Sequence, residues 1–277
     1  MSKSKIFALV IASVVLSSAA AADGYEPVGK GFAPAPVYSW TGHYIGANGG
    51  YAWQEGDSTN LFTNDVTPLN LGDSTQFTRG TIGDLEDEGG FGGLQVGYNS
   101  QKGMVVIGVE ADIQAADLSG SRAGRFTNPF GTFPVDGTAS FDVEWFSTLR
   151  MRLGAAFDRL LVYGTGGVAF GQVDYRLDVI EPPVGGQLFE TTLTSSETEV
   201  GYAVGGGLEY ALGSNWTIKS EYLFIDLGEV SATAPVTSIL TGNPTGEVAR
   251  TEVDVQFHTV RIGINYKFGR AEPVPLK

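Results

Sequence analysis

Between Val105 and Ala115 apolar residues recur at every second position: Val105, Ile107, Val109, Ala111, Ile113 and Ala115 share one parity, and Gly108, Glu110, Asp112 and Gln114 share the other. A strand sends successive side chains to opposite faces, so this period of two predicts a strand with one apolar and one polar side. The same reading sets Phe141, Val143, Trp145, Leu149, Met151 and Leu153 against Asp142, Glu144, Thr148, Arg150 and Arg152. From Glu197 to Leu212, Val200, Tyr202, Val204, Leu208, Tyr210 and Leu212 oppose Glu197, Glu199, Gly201, Gly205, Gly207 and Glu209. Trp216, Ile218, Tyr222 and Phe224 oppose Thr217, Lys219 and Glu221. At the end of the series Val260, Ile262, Ile264, Tyr266 and Phe268 oppose Arg261, Gly263, Asn265 and Lys267. Strands near 41–53, 90–99 and 160–175 complete a set of eight, the last of them too rich in glycine and apolar residues for its faces to be assigned.

The breaks between strands alternate in length. Short ones fall at Ser100–Lys102, Phe157–Arg159 and Gly213–Asn215, and long ones at about 54–89, 116–139, 176–196 and 228–250. An even number of antiparallel strands with tight turns at one end and long loops at the other is the pattern of bacterial outer-membrane barrels. Hydrocarbon demands that every backbone polar group be paired within the protein, which only helices and closed barrels achieve. Aromatics agree: Tyr98, Tyr210, Trp216, Tyr266 and Phe268 lie near the short-turn end, and Trp53, Trp145, Tyr202 and Phe224 near the long-loop end. Two such girdles mark the two membrane interfaces. The predicted fold is all-β: an eight-stranded antiparallel up-and-down transmembrane β-barrel over residues 40–268, with short periplasmic turns and four long extracellular loops.

The N-terminus changes the picture by fixing the compartment. Lys3 and Lys5 precede an apolar run of eleven residues, Ile6–Leu16, and Ala20-Ala21-Ala22 offers a small-residue cleavage site. That is a secretory signal peptide over 1–22, far short of the ~20 apolar residues of a spanning helix. Residues 23–39 carry prolines and no alternation, which predicts a periplasmic linker, and 269–277 form a short periplasmic tail. The chain has no cysteine, so neither disulfides nor a lipid-modified cysteine holds it. Removal of the two signal lysines shifts the formal charge from −14 to −16, which argues against nucleic acid as a partner.

Three segments carry a resemblance. Trp40–Tyr51 (WTGHYIGANGGY), Leu161–Gly171 (LVYGTGGVAFG) and Trp216–Leu223 (WTIKSEYL) resemble the small porin-like outer-membrane proteins of alphaproteobacteria, which are similar in architecture to the OmpA transmembrane domain. The resemblance implies an abundant surface protein that supports envelope integrity and contacts host or environment. Some members of that family are described as heme-binding, and others as porins.

Candidate functional residues fall into three groups. On the last strand Arg261, Gly263, Tyr266 and Phe268 have the spacing of the signal read by the barrel assembly machinery, although GRAEPVPLK follows where such signals usually end. Inside the barrel, parity and distance from the short turns place Glu110 beside Arg150 and Glu221 beside Arg261, with Glu209 and Lys219 nearby. Buried charges must be paired, so these residues predict a lumen network. His258, near the start of the last strand and thus at the opposite end from His43, is the best loop-side candidate for an axial heme ligand. No nucleophile–base constellation, phosphate loop or calcium loop is recognisable, so no enzyme activity, cofactor or metal is expected. The acidic run 84–88 reads as a solvated face able to meet lipopolysaccharide through divalent ions. Expected partners are outer-membrane lipid, lipopolysaccharide, the assembly machinery and surface ligands met by the loops. Two classes of function remain: a structural and interaction barrel with a filled lumen, or a narrow channel or ligand receptor. Eight strands enclose an interior that side chains just fill, which favours the first.

Overall fold

Strands with one apolar and one polar face satisfy their backbone in lipid only by closing into a ring, which removes both sheet edges. The computed structural model describes residues 38–54, 59–64, 76–82, 88–127, 134–184 and 187–269. Its strands are β1 (Gly42–Trp53), β2 (Thr59–Asn64), β3 (Gln76–Ile82), β4 (Glu88–Lys102), β5 (Val105–Thr127), β6 (Pro134–Phe157), β7 (Leu160–Val184), β8 (Gln187–Ala211), β9 (Trp216–Ser238) and β10 (Pro244–Lys267). β1, β4 and then β5 through β10 pair in order, and β10 returns to β1 from Tyr44↔Lys267 to Trp53↔His258. The result is an eight-stranded antiparallel ring. β2 and β3 continue β1 and β4 upward, β2 pairing with β10 at Val248–Glu252 and with β3 on its other side. The signal peptide, most of the linker, residues 84–87 of the acidic run and the tail beyond 269 lie outside the described residues.

Two short turns fall where the spacing predicts them, at 158–159 and 212–215, while the first lies at 103–104, because the predicted break 100–102 is still part of β4. Gly103 and Asp158 take positive φ (60° and 53°), as tight hairpin connections require. The long connections differ from the expectation. Much of 116–139, 176–196 and 228–250 is strand, because β5 through β10 run for 23 to 25 residues each. At ~3.3 Å per residue and a tilt of ~40°, such strands build a wall roughly 60 Å tall, against an apolar band of ~25 Å. Much of the barrel therefore stands outside the membrane.

The alternation looked broken because the two faces exchange chemistry as the strands leave the lipid. Low on β10, Ile262 and Ile264 point outward and Arg261 and Asn265 inward; high on the same strand, Val253, Val255 and Phe257 are buried inside while Asp254 is exposed outside. Below, the barrel is polar within and apolar without; above, it has the apolar core of a water-soluble protein. Two bulges add to the effect. In β6 an extra residue between Val143 and Trp145 reverses the parity. Phe141 and Val143 are thus buried inside with Thr148 and Arg150, and Asp142 and Glu144 face out, which corrects the faces read from the sequence. In β9, Leu227 and Gly228 (φ 84°) stand against the single residue Val255.

The predicted linker also ends inside the fold. Tyr38 and Trp40 are buried at the short-turn mouth against Leu161, Tyr163 and Ala211, and the Trp40 indole N–H donates to the Asp158 carbonyl at 3.1 Å. This floor is fastened by Lys267, whose ammonium donates to the Ser39 carbonyl and lies 4.3 Å from the Tyr38 ring centroid. The girdle aromatics point outward, with Trp216, Tyr266 and Phe268 in edge-to-face contact at 5.0 and 5.4 Å.

Candidate functional site

Above the floor the lumen is polar, and its side chains come from every strand of the lower ring. Asn48 (β1) donates to Gln95 (β4) at 2.9 Å, and Gln95 donates to Asn265 (β10). Asn265 and Thr217 both donate to Glu209. Arg152 reaches Glu209 at 2.7 Å and the Tyr44 hydroxyl at 2.7 Å, with its guanidinium 3.9 Å from the Tyr163 ring centroid. That face-on contact is a cation–π interaction. The Tyr44 hydroxyl in turn donates to Glu110 at 2.8 Å.

The centre of the network lies one layer higher. Arg150 spans Glu110 (2.6 Å), Asp112 (2.9 Å) and Glu221 (3.0 Å), and its Nε donates to Thr148. Lys219 donates to Glu110 at 2.9 Å, and Arg261 binds Glu221 at 2.8 Å and Asp112 at 3.3 Å. The cluster thus holds four carboxylates (Glu110, Asp112, Glu209, Glu221) and four cations (Arg150, Arg152, Lys219, Arg261), and is neutral. All eight side chains are buried, at 4% exposure or less.

Two features follow from register and two do not. Glu110 and Arg150 are direct cross-strand partners, as are Glu221 and Arg261, and each couple forms an ion pair. Glu209 and Lys219 are also cross-strand partners, yet their side chains diverge, Glu209 to Arg152 and Lys219 to Glu110. Sequence reasoning left Asp112, Arg152, Tyr44 and Tyr163 out of the network; Asp112 and Arg152 had the inward parity that would have signalled them. Gly97 makes room for Tyr44: a Cβ there would overlap the Tyr44 ring and the Val109 carbonyl. Gly97→Val is therefore expected to lose about 1–3 kcal/mol by displacing the ring that holds Glu110 and Arg152. Outward Gly92→Ala should be neutral in the same urea titration, and equal losses would show that Gly97 has no special place.

A ceiling separates the charges from the upper core. Phe146 packs edge-on against Phe91 at 5.2 Å and Phe257 at 5.5 Å, and all three rings are buried. The remaining candidates fall on two faces. Arg261 and Gly263 point into the lumen, whereas Tyr266 and Phe268 join the lower girdle. His258 does not stand in a loop: it lies on the outer wall, stacked with Trp53 at 5.7 Å and Tyr222 at 5.9 Å, with its Nδ1 2.7 Å from the Tyr222 hydroxyl. Its strand runs on past it for several turns of pleat, which displaces the predicted heme ligand from the loop region. His43 is at the other end, beside Tyr98.

A ring of eight strands, polar inside and apolar outside at membrane height, matches what the family models detect. The model described as "Outer membrane protein beta-barrel domain" matches residues 8–268. The chain belongs to this outer-membrane β-barrel family. This chain is 39% identical over 262 residues to the 31 kDa outer-membrane immunogenic protein of Brucella melitensis, covering 93% of this chain and 97% of that one. It is 29% identical over 194 residues to the 22 kDa outer membrane protein of Rhizobium leguminosarum bv. viciae, covering 69% and 66% respectively. Among solved structures, the outer membrane protein OprG from Pseudomonas aeruginosa aligns with a TM-score of 0.48 at 15% identity, over 83% of this chain and 98% of that one. The family and its alphaproteobacterial relatives place this barrel in the outer membrane, as a surface protein.

Proposed function

We propose that this protein is a closed structural barrel: it supports the envelope and presents a tall outer wall to the environment, and it does not conduct. The neutral eight-charge cluster carries this reading. A lumen in which every carboxylate meets a cation, floored by Trp40 and roofed by Phe146, supports a plugged interior. Removing one member of such a cluster strands a buried charge, so the cluster also ties the strands of the ring together. The girdles anchor the barrel in lipid and lipopolysaccharide, the last strand serves the assembly machinery through Tyr266 and Phe268, and the upper wall meets surface ligands. No reaction is assigned to it.

The experiment is single-channel recording of the purified protein in a planar bilayer. Silence at moderate voltage is the expected result. A steady ohmic conductance would overturn the reading and make the protein a narrow channel.

A further inference from the structure

Turns between strands are normally built from glycine, proline, asparagine, aspartate and serine, which supply the backbone angles and polar groups a turn needs. The connection between β9 and β10, at the end of the barrel away from the short turns, departs from that rule. It begins with Ile239 and Leu240, followed by Thr241, Gly242 and Asn243. Both aliphatic side chains are exposed, Ile239 at 45% and Leu240 at 73%.

The backbone holds the two side chains out. The Ser238 N–H donates to the Asn243 carbonyl at 3.0 Å, and the Gly242 N–H donates to the Ser238 carbonyl at 2.8 Å. The Asn243 N–H donates to the Thr241 hydroxyl at 3.3 Å, and Gly242 supplies the positive φ (68°) that closes the turn. Ile239 and Leu240 therefore break a local rule without gaining burial within the chain. Such a conflict points to contact with something outside it.

Charge narrows the partner. From Val230 to Gly246 there is no charged residue, in a chain with 31 acidic and 17 basic side chains. The sequence is also uncharged over 126–135, which joins β5 to β6, and over 182–189, which joins β7 to β8. The wall below is acidic, with Asp117, Asp142, Glu144 and Asp254 exposed. An anionic surface would be repelled by that wall, and a cationic one would settle on the wall and not on the turn. Two aliphatic side chains beside a hydroxyl and an amide fit a surface without net charge that offers hydrocarbon beneath a polar layer.

We propose that the β9–β10 turn inserts into the bilayer of another cell whose outer leaflet is zwitterionic phospholipid. Ile239 and Leu240 enter the acyl boundary while Thr241 and Asn243 stay among the headgroups, at the depth of about 5–10 Å usual for interfacial anchors. Glu190 sets that limit. It is exposed and pairs with Thr237, one rung below Phe189↔Ser238, so deeper entry would drag a carboxylate out of water. The inference rests on the outward display of the upper wall proposed above, and not on whether the lumen conducts.

The chain has no cysteine, so Thr241→Cys offers a single attachment point for an environment-sensitive dye beside Leu240. The labelled mature protein, held in lipid nanodiscs, is titrated with phosphatidylcholine vesicles that carry brominated acyl chains. A blue shift, with quenching by the bromine, is the expected result. Adding Ile239→Ser and Leu240→Ser should weaken vesicle binding about a hundredfold, about tenfold for each aliphatic side chain lost. Vesicles enriched in phosphatidylserine should bind more weakly, because the acidic wall approaches with the turn. A dye that stays unshifted with these protein-free vesicles, as a turn that recognises only protein would give, overturns the proposal. So does a shift that survives the double serine change, or one that grows with phosphatidylserine. Steady conductance in the bilayer recordings would overturn the closed-lumen reading and leave this result standing.

Discussion

Arg150→Met is expected to lower stability by about 3–5 kcal/mol, the usual cost of leaving a buried charge without its partner. Arg150 is the member with most to lose, because its Nε, Nη1 and Nη2 all donate, to Thr148, Glu221, and Glu110 with Asp112. Without it the lumen holds four carboxylates against three cations. Glu110→Gln together with Arg150→Met restores neutrality, so the double variant should lose clearly less than the sum of the single losses. Arg261→Met should cost less than Arg150→Met, since Arg261 already leaves its Nε and Nη1 without a partner. Reversible urea unfolding in lipid vesicles, followed by tryptophan fluorescence, measures all four. Additive losses in the cycle would mean that Glu110 and Arg150 are neighbours without coupling.

Phe146→Ala should produce an effect of similar size for a different reason. The ring is 1% exposed and holds the Phe91 and Phe257 rings in edge-to-face geometry. Truncating a buried phenylalanine loses its transfer free energy and leaves a cavity, about 3–5 kcal/mol in all. Here the cavity opens between an apolar core and a charged layer, so water should enter from above. Amide exchange should accelerate in Asp112–Gln114, and bilayer recordings should show brief openings that wild type lacks. If stability falls while exchange in that segment stays unchanged, Phe146 is ordinary core packing and not a ceiling over the charges.

Much of this protein was legible without coordinates. The period of two over Val105–Ala115 and Val260–Phe268 required strands, and the alternation of short and long breaks required a ring with all its tight turns at one end. The ion pairs Glu110–Arg150 and Glu221–Arg261 were also legible, although long connections join β5 to β6 and β9 to β10. Both strands of each couple start from the short-turn end, so inward residues at similar distances from that end lie at similar heights on neighbouring strands.

Three things were decided only by the closed structure. The contacts that cross the lumen, Arg150 to Glu221, Arg152 to Glu209 and Lys219 to Glu110, depend on how far the ring brings non-adjacent strands together. No local spacing encodes that distance. The upper wall was hidden because the solvent outside the barrel changes from lipid to water partway up each strand. The faces exchange chemistry at Phe257–Val260 and the bulge beside Trp145 reverses parity, so a continuous strand reads as a strand followed by a loop. The gap in pairing between β8 and β9, from Tyr202↔Asp226 up to Glu190↔Thr237, was equally invisible, since the period of two in residues 191–201 says which way side chains point and not whether the neighbouring strand pairs with them. Periodicity records which environment each face meets, whereas pairing across the ring is a property of the assembled wall.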